Sequence, residues 1–272
     1  LPKPYRMTSS PSDLVASRID GAVLTITMQS AATGNALNLA MTSALADALE
    51  RVNAHEEVRC VVLCASGKNF CTGGNVNDMR DGTDLMAGST TQVRERLLKS
   101  LHRITHAVHG IEVPVIAAVN GLAIGAGFDL SLMCDVRLCS EDARFSESFL
   151  RLGLVSGIGG AWFLTRLVGL SKAMELTLTS EFIDAQAALR LGVVSQVFGA
   201  GQLQAEARKL AERIAMNPPH GMRMAKRLVR DASQSTLSGA LEQAASMQAI
   251  LLCGDEHKNA VRGFLANARG TR

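Results

Sequence analysis

Gly125-Ala126-Gly127 and, two residues on, Asp129 are the residues of this chain best placed for chemistry. A Gly-Ala-Gly stretch lets backbone come close to whatever binds against it. Where such a stretch opens a helix, its first N–H groups have no partner and the positive end of the helix dipole faces outward. That end stabilises an anion, either a phosphate or an enolate oxygen forming during reaction. Asp129 falls in the first helical turn, close enough to be the acid or base of the same site. The plain alternatives are a glycine turn that is only a turn and an aspartate that only caps its helix. A second glycine turn, Phe70-Cys71-Thr72-Gly73-Gly74-Asn75, is available to face the first.

The flanking sequence predicts the elements that hold these turns. Val113-Pro114-Val115-Ile116-Ala117-Ala118 reads as a buried strand leading into the first turn, with Leu130, Met133 and Cys134 at helical spacing after it. Cys60 to Ala65 is a continuous apolar run, a strand covered on both faces, leading into the second turn. Ile19-Asp20-Gly21 predicts a hairpin into a strand over 23–28. Asn38 is a candidate N-cap for a helix with the apolar stripe Leu37, Met41, Leu45, Leu49 and Val52. Residues 80–91 read as a mobile polar loop, and Leu97, Leu101, Ile104 and Val108 as one long helix. Short strands follow at 136–139 and 143–146, then a helix from about Gly159 stopped by Gly169, two short helices, and a last strand over 192–197. The result is an α/β chain with an irregular ββα rhythm. From Gln202 onward the pattern is helical only, which puts a boundary near residue 200, between a core over 8–200 and a helical region over 201–272.

Composition narrows the function. With 272 residues, a net charge of +3 and 4% aromatic residues, the chain has neither the basic field nor the stacking platforms of a nucleic-acid binder. No apolar stretch is long enough to span a membrane, and the N-terminus lacks a signal-peptide core. Six cysteines without metal spacing read as reduced, mostly buried thiols in a cytoplasmic setting. His102, His106 and His109 do not make a metal face, and Cys71 lacks a base, so no metal and no thiol chemistry is expected. Residues 1–6, ahead of Met7, read either as an upstream extension or as residues foreign to the native protein, and are set aside.

Taken in order, Asn35-Ala36-Leu37-Asn38, Phe70-Cys71-Thr72-Gly73-Gly74, Ala118-Val119-Asn120-Gly121, Gly125-Ala126-Gly127, Met133-Cys134-Asp135 and Gly159-Gly160 resemble the crotonase (enoyl-CoA hydratase/isomerase) superfamily over nearly the whole chain. The stretch from Phe145 to Leu164 is most similar to epoxyphenylacetyl-CoA isomerase-like members. The resemblance implies a spiral of ββα units with a C-terminal helical region that builds trimers or dimers of trimers. It implies an acyl-CoA thioester as substrate, with coenzyme A arriving as part of that substrate and no separate cofactor. By position, the N–H groups of Gly74 and Ala126 would hold the thioester oxygen. Ala36, Leu37, Thr72, Gly73, Asn75, Gly125, Phe149 and the terminal-helix Phe264 would bind the CoA ester.

The chain also departs from that family. The hydratases' first catalytic carboxylate falls on Asp129, and their second falls on Phe149, which can move no proton. The further carboxylates of dienoyl-CoA isomerases fall on Phe149 and Gly157. Glu147 is the candidate substitute: if 145–149 is extended, residues 145, 147 and 149 share a face, and Glu147 points to the same cavity as Phe149. Otherwise it is a surface glutamate paired with Arg144 or Arg151. Two readings follow. One is an enoyl-CoA isomerase or hydratase of fatty-acid or aromatic-acid breakdown. The other is an acyl-CoA-binding protein that kept the fold and lost the chemistry.

Overall fold

The structure, a computed structural model, describes residues 14–199 and 201–269, the last three by backbone only. Its strands are β1 (Val15–Asp20), β2 (Val23–Met28), β3 (Cys60–Ala65), β4 (Val115–Val119), β5 (Leu122–Ile124), β6 (Val136–Ser140), β7 (Arg144–Ser146), β8 (Ile183–Asp184) and β9 (Gln196–Phe198). The helices are α1 (Leu39–Glu50), α2 (Val76–Asp81), α3 (Thr90–Lys99), α4 (Leu101–Gly110), α5 (Ala126–Leu132), α6 (Gly160–Thr179), α7 (Ala185–Arg190), α8 (Leu203–Ala215), α9 (Pro219–Ala232), α10 (Leu237–Cys253) and α11 (Asp255–Arg269). One sheet runs β1-β2-β3-β4-β6-β9, antiparallel only at the β1–β2 hairpin, and a small second sheet runs β5-β7-β8.

The alternation of β3 decides how the large sheet is covered. Val61 and Leu63 pack into the main core with α1 and α4, while Cys60, Val62 and Cys64 face Leu203, Ala207 and Ala211 of α8. A strand with helices on both faces has no reason to alternate polar residues, which is why it reads as an unbroken apolar run. Asn38 caps α1, its Oδ1 accepting from Met41 N at 2.8 Å, and the whole expected stripe of that helix is buried. Five of the cysteines are buried, Cys253 is exposed, and all six are free thiols. Among the described residues no helix is long and apolar enough to cross a membrane.

Several local expectations are corrected. The stretch 80–91 is folded, into the end of α2 and a 3-10 turn whose Leu85 is buried; Asp84 ties it to α1 by accepting from Leu39 N at 2.8 Å. The expected long helix is two, α3 and α4, broken at Ser100. Gly169, by contrast, stops the first helical half of α6 as expected, with φ 77° and ψ 162°, and a second half continues to Thr179. The last strand begins only at Gln196. Most consequential for the site, β5 is interposed between β4 and α5, where a simple turn was expected.

Candidate functional site

Strand β5 brings the two glycine turns together. Cys71 N donates to Leu122 O and Ile124 N donates to Cys71 O, both at 3.0 Å, so the 70–74 turn runs as a short parallel extension of β5. A Cβ at Gly127 would overlap the Cys71 carbonyl, so glycine is required for the start of α5 to lie this close. A third segment locks on from the side: Leu37 N donates to Gly73 O at 2.8 Å. Asn35, wholly buried, sets that segment, its Nδ2 donating to Ser66 O at 3.0 Å and to Asn69 O at 2.8 Å.

The N–H groups of Gly74 and Ala126 are left without a hydrogen-bond partner among the described residues, and both border one cavity of about 540 Å³. Ala36, Thr72, Gly73 and Asn75 line its one side, Gly125 and Phe149 the other. Met79, which the sequence did not single out, also lines it, and its Cε sits 2.5 Å from where a Gly74 Cβ would be. Two expected binding residues do not line the cavity. Leu37 is a core side chain, 1% exposed, that serves the turn through its backbone. Phe264 lies on α11, 75% exposed and away from this cavity.

The carboxyls lie deeper. Asp129 N donates to Gly125 O at 3.0 Å, so Asp129 stands one turn into α5 from the cavity wall, and its side chain is wholly buried. The carboxyl does not cap its own helix. It sits at the start of α6, where a Cβ on Gly160 would overlap it. Ser156 Oγ donates to Asp129 Oδ2 at 2.6 Å and accepts from Gly160 N at 2.8 Å, bridging carboxylate and helix end. Burial pushes the Asp129 carboxyl well above its ordinary value; hydrogen bonds from Glu147, Ser156 and the Gly160 N–H pull it part of the way back.

Glu147 is not where the extended reading put it. The chain leaves β7 at Ser146, turns at Glu147 (φ −81°, ψ 64°) and enters a 3-10 helix over Ser148–Leu152. Glu147 and Phe149 therefore do not share a strand face. Phe149 goes to the cavity, its ring 3.6 Å from a Cβ position on Gly125, and Glu147 turns inward to hydrogen-bond with Asp129. Nor is it a surface residue paired with arginine: it is 3% exposed, and Arg151 lies against the Phe182 ring instead. Burial raises the Glu147 carboxyl strongly, and the charge of Asp129 and the hydrogen bond to it raise it further. Ser156 was missed in the sequence; a hydroxyl four residues before a Gly-Gly helix start is a capping signal that could have found it.

The chain as a whole has known relatives. A family model described as Enoyl-CoA hydratase/isomerase matches residues 18–269. The chain is 30% identical over 254 residues to 1,2-epoxyphenylacetyl-CoA isomerase of Escherichia coli strain K12, spanning 93% of this chain and 96% of that protein. It is 32% identical, over the same shares, to 2,3-dehydroadipyl-CoA hydratase of the same organism. Among solved structures, enoyl-CoA hydratase from Bacillus anthracis superposes with a TM-score of 0.88 at 28% identity, covering 94% of this chain and 97% of that one. An enoyl-CoA hydratase from Mycobacterium smegmatis superposes at 0.86 with 31% identity over the same shares.

Proposed function

The chain belongs to the enoyl-CoA hydratase/isomerase family, and from that premise we propose that it transfers protons on an acyl-CoA thioester whose enolate oxygen rests on the N–H groups of Gly74 and Ala126. The observation that carries this reading is the pair of unpartnered N–H groups bordering one cavity. A proton beside a thioester carbonyl leaves only if the developing oxyanion is stabilised, and each preorganised donor in a dry site is worth about 3–4 kcal/mol. Ala36, Thr72, Gly73 and Asn75 take the CoA ester along the cavity. Asp129 is the base, its pKa raised by burial towards the working range of proton transfer.

Double-bond isomerisation suits this site better than hydration. An attacking water needs polar groups to hold it, and where the family's hydratases carry a second carboxylate the cavity wall here carries the phenyl ring of Phe149. One observation favours a second reading, binding without turnover: neither Asp129 nor Glu147 lines the cavity. A panel of acyl- and enoyl-CoAs in deuterated water, followed by mass spectrometry, separates the two. Deuterium entering beside the thioester supports the enzyme; tight binding with no exchange on any member supports the binding protein.

No metal or separate cofactor enters this reading. We assign the site to residues 8–200 and assembly to the helices beyond, as a trimer or a dimer of trimers; the exposed Leu237, Leu241, Ile250, Phe264 and Leu265 of α10 and α11 support it. The buried free thiols support a reducing, cytoplasmic setting.

A further inference from the structure

We propose that Asp129 and Glu147 act as one unit, a carboxyl dyad that holds a single proton between its two members and supplies both the base and the returning proton of the reaction. The proposal rests on the acyl-CoA reading above and concerns what Glu147 adds to it.

Three features of the geometry point to the dyad. First, both side chains are essentially sealed from water, Asp129 at 0% and Glu147 at 3% exposure, and among the described residues no cation stands beside either to offset two buried charges. Like carboxyls in such a place cannot both ionise, so one keeps its proton. Secondly, with both ionised, Asp129 Oδ1 and Glu147 Oε1 would be buried acceptors without a donor. One proton, carried by Glu147 and donated to Asp129, gives the pair the donor it lacks.

Thirdly, the two members are held independently by the two ends of the same helical run. Asp129 is fixed at the start of α6 through Ser156 and Gly160. At its end Ser180 is buried in the left-handed region, φ 51°, unusual for a serine. Ser180 Oγ donates to Glu147 O at 3.1 Å, and Ser146 Oγ donates to Ser180 O at 3.0 Å. A straight helix of 20 residues would hold its ends about 30 Å apart. The break at Gly169 folds the run back so that its start holds the Asp129 carboxyl and its end the Glu147 backbone. Apolar side chains would fill this space at lower free energy; two acids there keep a proton.

For a 3-enoyl thioester the step balances without any further reactant. Ionised Asp129 takes a proton from C2, and the C–H electron pair enters a dienolate whose oxygen is held by Gly74 and Ala126. Glu147 delivers its proton to C4, the C2–C3 double bond forms, and the carbonyl closes. The dyad ends as it began, with one proton. Ser156 is a positioning residue that keeps Asp129 facing its partner.

The test uses Glu147→Gln, whose amide still donates to Asp129 but has no acid proton, beside Ser156→Ala and wild type. Infrared difference spectra of the free protein across a pH titration should show one protonated buried carboxyl at neutral pH, absent from Glu147→Gln. That variant should lose about 100-fold or more in kcat on a 3-enoyl-CoA, with KM within a few-fold. Ser156→Ala should keep the infrared band but shift its titration. Full turnover in Glu147→Gln would make Glu147 a mere orienting group and overturn the dyad. So would a band missing from wild type or surviving in Glu147→Gln. Failure of wild type to exchange deuterium into any thioester would instead sink the proton-transfer reading of the site, and the infrared band decides the shared proton separately.

Discussion

At the scale of single residues, Asp129 shows how little a local signal says about a side chain's task. An aspartate in a first helical turn ordinarily caps that turn, yet this one leaves its own helix uncapped and sits against Gly160 of another. Asp129→Asn should abolish deuterium exchange beside the thioester while CoA-ester affinity stays within a few-fold, because the amide is nearly isosteric. The Asp129→Asn, Glu147→Gln double variant should be no slower than the worse single one, as expected for groups acting as a unit. Stability gives a second check. The folded-state pKa of Glu147 lies above its unfolded value of about 4.3. The stability it lends is therefore complete below that value and is lost as pH rises towards the folded one. Thermal unfolding followed from about pH 4 to about pH 8 should find Glu147→Gln gaining on wild type as the pH rises. A constant difference across that range would mean that Glu147 has an ordinary pKa.

At the scale of elements, the site depends on two close approaches that only glycine allows. Gly127→Ala drives a methyl into the Cys71 carbonyl and must part the 70–74 turn from α5, separating the Gly74 and Ala126 N–H groups. Losing alignment of one donor should lower kcat by about 100-fold or more, while the circular dichroism of the fold is kept. Gly169→Ala tests the break in α6 differently. Nothing stands within 4 Å of a Cβ there, so any effect comes from the backbone conformation alone. At φ 77° and ψ 162° an alanine costs about 1–3 kcal/mol. Its unfolding midpoint should drop by several degrees and its turnover should fall as the two ends of α6 spread. An unchanged midpoint would mean that the run 160–179 tolerates straightening.

At the scale of the whole molecule, the helical end of the chain is the part least satisfied by its own contacts. Helix α9 is tied down: Lys226 Nζ lies 2.7 Å from Asp135 Oδ2 and Arg230 2.8 Å from Asp135 Oδ1, joining it to the start of β6. Beyond it, α10 packs on α9 and α11 on α10, while Leu237 at 76%, Leu241 at 61% and Phe264 at 75% exposure face outward. Apolar patches of this kind mark association surfaces. Light scattering at micromolar concentration should give the mass of three or six chains, and Leu241→Glu with Phe264→Glu should reduce it. A monomeric mass for wild type would remove assembly from the account.

The sequence by itself determined what depends on neighbours along the chain. The hairpin, the Asn38 cap, the doubly covered strand β3 and the two glycine turns are legible because each is set by periodicity or by a residue type with few conformational choices. The family pattern pointed to Gly74 and Ala126 as the expected donors, and their N–H groups are without a partner among the described residues. Tertiary structure alone decided where the acids went. The fate of Glu147 hung on whether 145–149 stayed extended, and a one-residue change of twist after Ser146 sends it inward to Asp129 and sends Phe149 to the cavity. Ser156, Gly160 and Ser180 reach the same pair only because Gly169 folds α6 back on itself. Contacts made across the fold leave no period in a sequence, and the proton shared by two carboxyls is one of them.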